Sequence, residues 1–596
     1  MHRADEHPRH QPSRFLRLVL LLVAASLLSA PALAQRLAGY LPADTFFAIG
    51  TVGLDAHADL LDDLLTEWER LDLGEKLEGA LAGAGALGAT FGVPLDEDLP
   101  DAGLPGELEG LEPLDLIGAE AWVALSISPF NPLPVLTLVA SIDDATSARF
   151  DALLLEASAQ PGAVELNEGQ ARFVVTPAGD GVPLAASRFG DLLALSTNPD
   201  VLRGVLRQAQ GSSDPSFDDA DGYLTTLGTL GDGAFYGYLD VVSVSDALAP
   251  LAAGLGFDAS VARLSAMFAT FGSGAGVIRV TPDGTESEGI QVLRGDGGDL
   301  ALFSLLTRSH AAPRDLLRAV PERAFSVQVA NASPAAWWDY LVDLVAGLPE
   351  LGIRDPERML RDTTGVDLRR DLFSWTGSGV MTLTTGFGAA VDPGIPSEAL
   401  LGESVFVLVA ADESAARAGL TRLFEHLGAT VSMFTDPMAQ GGPVPTRTRM
   451  VEGVEVTSFD LFPGAGVSVA VTGGLAVIGT TDDGTDATVT AILRGGDLAP
   501  TLARLLPDVP ANATGFLLTD DRAGLEGTAD QLTAQVRLLA GMGGGAALDF
   551  DAVVEATDAL EEFLAFVASR LGGSVSWSVV DGAVIRTFGR SEVAWR

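Results

Sequence analysis

The order of apolar and polar positions along the chain predicts short strands that alternate with amphipathic helices. Between residues 60 and 71, leucines recur at helical spacing on one face and acidic side chains occupy the rest, which is typical of a helix that covers a core. Residues 325–329 instead alternate between apolar and polar, as a strand does when one face meets water. Strands with one wet face are typical of antiparallel sheets. We therefore predict an α+β fold, in which mainly antiparallel sheet is backed by amphipathic helices.

The chain also repeats itself. Residues 92–99 read Gly-Val-Pro-Leu-Asp-Glu-Asp-Leu and residues 365–372 read Gly-Val-Asp-Leu-Arg-Arg-Asp-Leu, so five of the eight positions are identical. The openings agree too, because Pro42 and Pro321 each precede a phenylalanine by four residues. Such self-similarity indicates an internal duplication. We predict two similar α+β halves of about nine strands each, over residues 36–309 and 315–596, joined near residues 309–313.

Short strands that lead into capped helices recur at matching places in the two halves. The apolar runs 135–140 and 405–410 are followed by Asp143 and Asp412, and carboxylates there complement the free amides at the start of a helix. Asp-Gly pairs at 283–284 and 581–582 close the two halves, and this pair favours a tight hairpin turn. The repeated features are thus the caps and turns of one common plan.

The first 34 residues predict export. Four arginines precede the apolar run 18–28, and Pro31 and the small residues Ala-Leu-Ala at 32–34 follow it, as in a secretory signal peptide. We predict cleavage after Ala34 and an extracytoplasmic, periplasmic or secreted, protein. The alternative is an uncleaved anchor, because residues 16–34 are long enough to span a bilayer.

Composition excludes several classes of function. With 36 basic and 80 acidic residues the formal charge is −44, and Lys76 is the single lysine, so neither nucleic acid nor an anionic membrane surface is a suitable partner. The absence of cysteine excludes disulfides, thiolate metal sites and cysteine nucleophiles. The acidity has two open explanations, a bias toward GC-rich codons and adaptation to salt.

Four stretches of the sequence resemble a bacterial extracytoplasmic family of unknown function, number 3352 in the domain-of-unknown-function series. They are Leu-Pro-Ala-Asp at 41–44, the two Gly-Val segments above, and Ser-Asp-Pro-Ser-Phe at 213–217, which leads to an apolar run at 234–241. The second half departs from this pattern, since Leu-Ala-Pro at 498–500 replaces the Ser-Asp-Pro-Ser-Phe segment. The resemblance implies no activity and supplies no catalytic or cofactor-binding residues.

Motifs that carry chemistry are sparse. Residues 83–88 fit G-x-G-x-x-G but follow a helical rather than a strand pattern, so we interpret them as a loop, and Lys76 lacks the neighbours of a phosphate-binding loop. The acid clusters 218–222 and 482–486 are candidate calcium ligands. Neither has the alternating spacing of an EF-hand, and turn and helix-cap roles are our preferred interpretation.

The histidines beyond the first ten residues are His57, His310 and His426, and they are scattered. We place His426 near the end of a helix over 415–427, where its charge would favour the C-terminal dipole. There is no H-E-x-x-H and no G-x-S-x-G motif. We therefore predict no catalytic, metal-binding or cofactor-binding residues.

The leading functional prediction is a non-catalytic exported protein that binds or scaffolds a component of the cell envelope. Two alternatives stay open. One is a carrier that holds an apolar ligand in a sheet-lined cavity, which the apolar composition (47% hydrophobic) permits. The other is a hydrolase with an unconventional site.

Overall fold

The structure is a computed structural model, and it describes residues 36–53, 63, 66–73, 76, 120–128, 131–177, 183–245, 258–296, 298–308, 310–348, 351–386, 403–435, 445–462, 465–541 and 550–594. The predicted signal peptide, His57, the glycine motif at 83–88 and the first copy of the repeated segment at 92–99 lie outside these residues.

Ten strands lie in the range predicted for the first half: β1 (Thr45–Val52), β2 (Glu120–Ser128), β3 (Asn131–Ser141), β4 (Val164–Glu168), β5 (Ala171–Pro177), β6 (Pro183–Phe189), β7 (Leu192–Ser196), β8 (Phe235–Asp240), β9 (Ser273–Thr281) and β10 (Gly284–Val292). Ten more lie in the range predicted for the second: β11 (Ser326–Ala330), β12 (Thr376–Gly386), β13 (Glu403–Ala410), β14 (Thr446–Val451), β15 (Val454–Phe462), β16 (Ala465–Thr472), β17 (Leu475–Gly479), β18 (Gly515–Asp520), β19 (Leu571–Asp581) and β20 (Val584–Val593). The described part of each range thus holds ten strands, one more than predicted.

The α-helices of the described residues are α1 (Asp144–Ser158), α2 (Pro199–Ala209), α3 (Asp221–Thr225), α4 (Asp258–Ala269), α5 (Leu300–Thr307), α6 (Pro334–Ala346), α7 (Pro356–Thr364), α8 (Glu413–Thr435), α9 (Asp482–Arg494), α10 (Pro500–Leu505), α11 (Asp521–Gly541) and α12 (Phe550–Ala568). Residues 66–70 are helical as well, within the stretch where the apolar pattern predicts a helix. No helix of the described part combines the length and hydropathy that a membrane crossing requires.

The chain divides into two compact units, each assembled from separate stretches. The first unit comprises Met1–Asp240, Ser273–Thr285 and Gly544–Phe563, and the second comprises Val241–Gly272, Glu286–Gly543 and Leu564–Arg596. These are units of spatial contact, whereas the predicted halves 36–309 and 315–596 are units of sequence repetition, and the bounds of those halves stay a prediction.

The sheet of the first unit has the strand order β4-β5-β6-β7-β3-β2-β1-β8-β9, and each neighbouring pair is antiparallel. The second unit has the order β14-β15-β16-β17-β13-β12-β11-β18-β19-β20, again antiparallel throughout, and β10 pairs with β20. The predicted α+β class with antiparallel sheet is therefore confirmed.

The core of the first unit centres on aromatic side chains. Trp122 of β2 stacks on Tyr236 of β8, with 5.7 Å between the ring centroids, and Phe217 packs edge-on against Tyr238 at 4.9 Å. The carboxylate of Glu120 accepts a hydrogen bond from the Trp122 indole N–H at 3.0 Å. Burial raises the pKa of Glu120.

At β16, the sheet of the second unit is covered by helices on both faces. On β16, Ala470 belongs to a cluster with Val489 of α9, whereas its neighbours Val469 and Val471 belong to a cluster with Leu420 of α8. Successive residues of a strand point to opposite faces, so both faces are buried here. The alternation predicted for 325–329 is seen in β11, where Val327 and Val329 are buried and Gln328 between them is exposed.

Candidate binding cleft

The second unit contains a cleft of about 370 Å³. Clefts of this size accept small molecules. Its walls come from α6, from α7 and from the segment that follows α7, and they consist of Trp338, Glu357, Leu360, Arg361, Val366, Asp367, Leu368, Arg369 and Arg370. Val366 to Arg370 belong to the second copy of the repeated segment, so one of the two most similar stretches of the sequence forms a wall of the cleft.

The sequence ends α7 sharply and so turns the chain into the cleft. Asp355 caps the start of α7 by accepting from the N–H of Arg358, and Gly365 ends the helix at φ +76°, with its N–H on the carbonyl of Arg361. This left-handed conformation favours glycine. The limited space also requires glycine, because a Cβ at position 365 would lie 2.8 Å from Nδ1 of His426.

A short π-helix, Arg369–Phe373, follows the turn and carries two of the cleft arginines. Such turns are rare and frequently occur at functional sites. The helix α8 can approach it closely because residue 419 is glycine, where a Cβ would lie 2.2 Å from the carbonyl oxygen of Asp371. That carbonyl also accepts from the indole N–H of Trp375 at 2.8 Å, which fixes the turn to the start of β12.

Asp371 anchors this turn electrostatically. Its carboxylate is fully buried and accepts from Arg370 at 2.8 and 3.0 Å, from Arg422 of α8 at 2.8 Å and from the N–H of Asp367 at 3.2 Å. Burial alone would raise the pKa of Asp371, but these hydrogen bonds outweigh it and lower the pKa to about 2. Asp371 therefore holds Arg370 in place at the wall of the cleft.

The other charged side chains of the cleft are paired as well. Nε of Arg369 lies 2.6 Å from Glu357, and its Nη2 lies 2.8 Å from Asp339. Arg361 lies 3.5 Å from Asp367. The hydrogen bond to Asp339 is the main reason that the pKa of Arg369 is raised. Each cleft arginine is thus partly neutralised and held by a carboxylate.

An aromatic side chain completes the wall. Trp338 donates its indole N–H to Oε1 of Glu357 at 3.0 Å, and its ring packs against Phe373 with 5.9 Å between centroids. Leu360, Val366 and Leu368 add apolar surface. The cleft therefore combines an apolar wall with guanidinium and carboxylate groups that are fixed in advance.

The structure places the candidate calcium clusters in capping and ion-pair roles. Asp219 accepts from the backbone N–H of Ser216 in a capping box. Asp482 and Asp486 both accept from Arg449, at 2.9 and 2.5 Å. Burial acts to raise the pKa of Asp482, but hydrogen bonds from serine hydroxyls and the charge of Arg449 lower it. Within the described ranges, no three acidic or histidine side chains are grouped so that they could hold a metal ion.

The interpretation of His426 is wrong. The helix that carries it runs over Glu413–Thr435 instead of ending near 427, so His426 lies in mid-helix, beside Gly365, and not at a C-terminal dipole. Glycine at 428 and β-branched residues at 430 and 431 made an earlier end plausible, but tertiary packing overrides such weak preferences. His310 is exposed and does not line the cleft.

Sequence reasoning missed the cleft and one unusual carboxyl group. Burial raises the pKa of Asp521, at the start of α11, to about 6, and a hydrogen bond of 2.8 Å from Ser574 offsets part of this shift. The sequence contained one signal that could have located the cleft, because Arg369 and Arg370 stand where the first copy of the repeat has Asp96 and Glu97.

No family model, curated protein or solved structure matches the chain.

Proposed function

We propose that this protein is a non-catalytic, exported binding protein, and that it recognises a small component of the cell envelope in the cleft of its second unit. The observation that carries the proposal is the set of paired charges around the cleft. Because Arg369 and Arg370 are held by Glu357 and Asp371, the binding groups need little ordering when a ligand arrives. Such preorganisation favours recognition.

The proposal includes an internal duplication of the chain, as its repeated segments suggest. The order of β1 to β9 in the first unit matches that of β11 to β19 in the second, which supports a common ancestor for the halves. Replacement of two acidic residues in one copy by Arg369 and Arg370 in the other is then a change of charge at equivalent positions. This difference supports a binding role that belongs to the second half.

Export rests on the sequence of residues 1–34. Intact-mass measurement of the exported protein should give a chain that begins at Gln35. A chain that retains residues 1–34 would instead be a membrane-anchored form, in which the same cleft faces the envelope from an anchor.

The alternatives receive less support from this geometry. A carrier of apolar ligands requires an apolar cavity, whereas five of the nine cleft residues are charged. A hydrolase requires a group that titrates usefully near the substrate. Asp521 titrates near neutrality but does not line the cleft.

The binding proposal is tested by thermal unfolding in the presence of low-molecular-mass fractions of cell-envelope extract. At least one fraction should raise the melting temperature of the wild type and of Arg358→Gln, but not that of Arg361→Gln. Arg358 is the matched control, since it lies on the same helix and pairs with Asp362 at 3.2 Å outside the cleft. Equal responses in both variants, or no response in the wild type, would overturn the proposal. Chemical conversion of the ligand during the assay, detected by mass spectrometry, would show an enzyme.

A further inference from the structure

The charges of the cleft argue against an ionic ligand. Its three arginines are each paired with a carboxylate, Arg369 with two, so a bound ion would have to compete with an existing ion pair. The chain as a whole carries a formal charge of −44, which disfavours the approach of anions. Cations, in turn, would have to approach the arginines. A neutral ligand meets neither obstacle.

The paired side chains still offer hydrogen-bonding groups of both kinds. Glu357 receives both Trp338 and Arg369 on Oε1, which leaves Oε2 as an acceptor. Arg369 and Arg370 use Nε and Nη2 in their ion pairs, which leaves Nη1 of each as a donor. Arg361 pairs with Asp367 through Nη1, which leaves its Nη2 as a further donor. Hydroxyl groups are the ligand groups that donate and accept at once. The cleft therefore suits a ligand with several hydroxyls.

The apolar wall adds a second requirement. Trp338, Leu360 and Leu368 line the same cleft as the charged groups, so the ligand needs an apolar face as well as polar edges. A sugar ring presents C–H groups on its faces and hydroxyls around its edge. Aromatic side chains are well suited to contact such a surface, because they offer large apolar area with few freely rotating bonds.

From these observations we infer that the cleft binds a neutral, polyhydroxylated ligand of the carbohydrate class. The inference rests on the proposed binding function and specifies its ligand. In the bound state, Glu357 accepts from a ligand hydroxyl, Arg361, Arg369 and Arg370 donate to ring or hydroxyl oxygens, and Trp338 contacts the C–H face.

The test is isothermal titration of the mature protein with glucose, galactose, mannose, N-acetylglucosamine, maltose and cellobiose, and separately with sodium phosphate and putrescine. At least one sugar should bind, and its affinity should change less than about twofold between 50 and 500 mM NaCl, because a neutral ligand is not screened. Arg361→Gln should weaken that sugar at least about tenfold, the usual loss for a hydrogen bond to a charged group. Arg358→Gln should bind as the wild type does.

Trp338→Phe is a second and conservative test, since it keeps an aromatic ring and removes the N–H that donates to Glu357. We expect a measurable loss of sugar affinity without loss of the folded state. Binding of phosphate or putrescine alone, binding of no probe, or a sugar affinity unchanged by Arg361→Gln would each overturn the carbohydrate assignment. If an envelope fraction still stabilises the protein in an Arg361-dependent manner, the binding function stands and only the ligand class is wrong.

Discussion

Replacing Gly365 by alanine tests whether the wall of the cleft depends on a turn that only glycine can form. At φ +76° an alanine costs roughly 1–2 kcal/mol relative to glycine. The new methyl group would also lie 2.8 Å from Nδ1 of His426, so this half-buried ring would have to move. Overpacking of this kind costs about 1–3 kcal/mol. We therefore expect Gly365→Ala to lower the free energy of unfolding by roughly 2–5 kcal/mol.

Urea unfolding followed by tryptophan fluorescence measures this loss, and Gly474→Ala is the matched control. Gly474 has φ +75°, and nothing lies within 4 Å of a Cβ added there, so its substitution reports the conformational cost alone. The double variant Gly365→Ala/His426→Ala, together with His426→Ala, completes a cycle that isolates the steric part. Removal of the ring should restore about 1–3 kcal/mol.

Two results would refute this reasoning. An equal loss for Gly365→Ala and Gly474→Ala would mean that His426 does not restrict the turn. A cycle without coupling between the two positions would mean that the ring moves aside freely. In either case, the close approach of α8 to the turn would not be what holds the cleft wall.

Three further changes have defined outcomes. Asp371→Asn should lower the free energy of unfolding by roughly 2 kcal/mol at pH 7, because the native pKa of about 2 is below the ordinary value of 3.8. The stabilisation by Asp371 is present above pH 4 and is lost as the pH falls toward 2. Acid unfolding of the wild type and the variant measures this difference. Asp521→Asn should raise the free energy of unfolding by roughly 1–2 kcal/mol at pH 7.5. Because the native pKa of Asp521 is about 6, the wild type loses stability as the pH rises from 4 to 6. Urea unfolding at several pH values should show this loss in the wild type and not in the variant. Tyr340→Phe removes a buried hydroxyl that makes no hydrogen bond of normal geometry, although the carboxylate of Asp299 lies near it. It should lower the free energy of unfolding by less than Tyr236→Phe, which removes the acceptor of the Gly233 N–H and should cost about 1 kcal/mol.

Other changes in stability would contradict these predictions. If Asp371→Asn were neutral at pH 7, its arginines would not depend on the carboxylate charge. Were Asp521→Asn destabilising above pH 6, its contact with Ser574 would matter more than its desolvation. Equal effects of the two tyrosine substitutions would show that the Tyr340 hydroxyl has a partner, such as an ordered water.

Local features of the fold were predictable because neighbouring residues determine them. Asp143 caps α1 by accepting from the N–H of Thr146, Asp412 accepts from the N–H of Ala415, and the Asp-Gly pair at 581–582 joins β19 to β20. Each depends on a side chain and a backbone group within a few residues, and both are visible in the sequence.

The cleft was not predictable for the opposite reason. Arg369 reaches Asp339 across 30 positions, and Arg422 reaches Asp371 across 51. Nothing in one sequence ties such pairs together, since the chain offers 80 acidic partners for 36 basic residues. Only the packing of α6, α7 and α8 against the sheet brings these groups into contact.

The first unit is assembled from stretches that lie far apart in the chain, and this determines when during synthesis it can fold. Residues 544–563 belong to this unit, where Ala559 packs with Leu71 and Leu73, Phe563 lies edge-on to Trp68, and Glu562 pairs with Arg70. At ribosomal rates of about 5–20 residues per second, these partners are made roughly 15–60 s after residue 240. Until then Leu71 and Leu73 lack their contact with Ala559. The first unit can therefore complete this cluster only late in synthesis, and a chain that stops before residue 544 lacks these contacts.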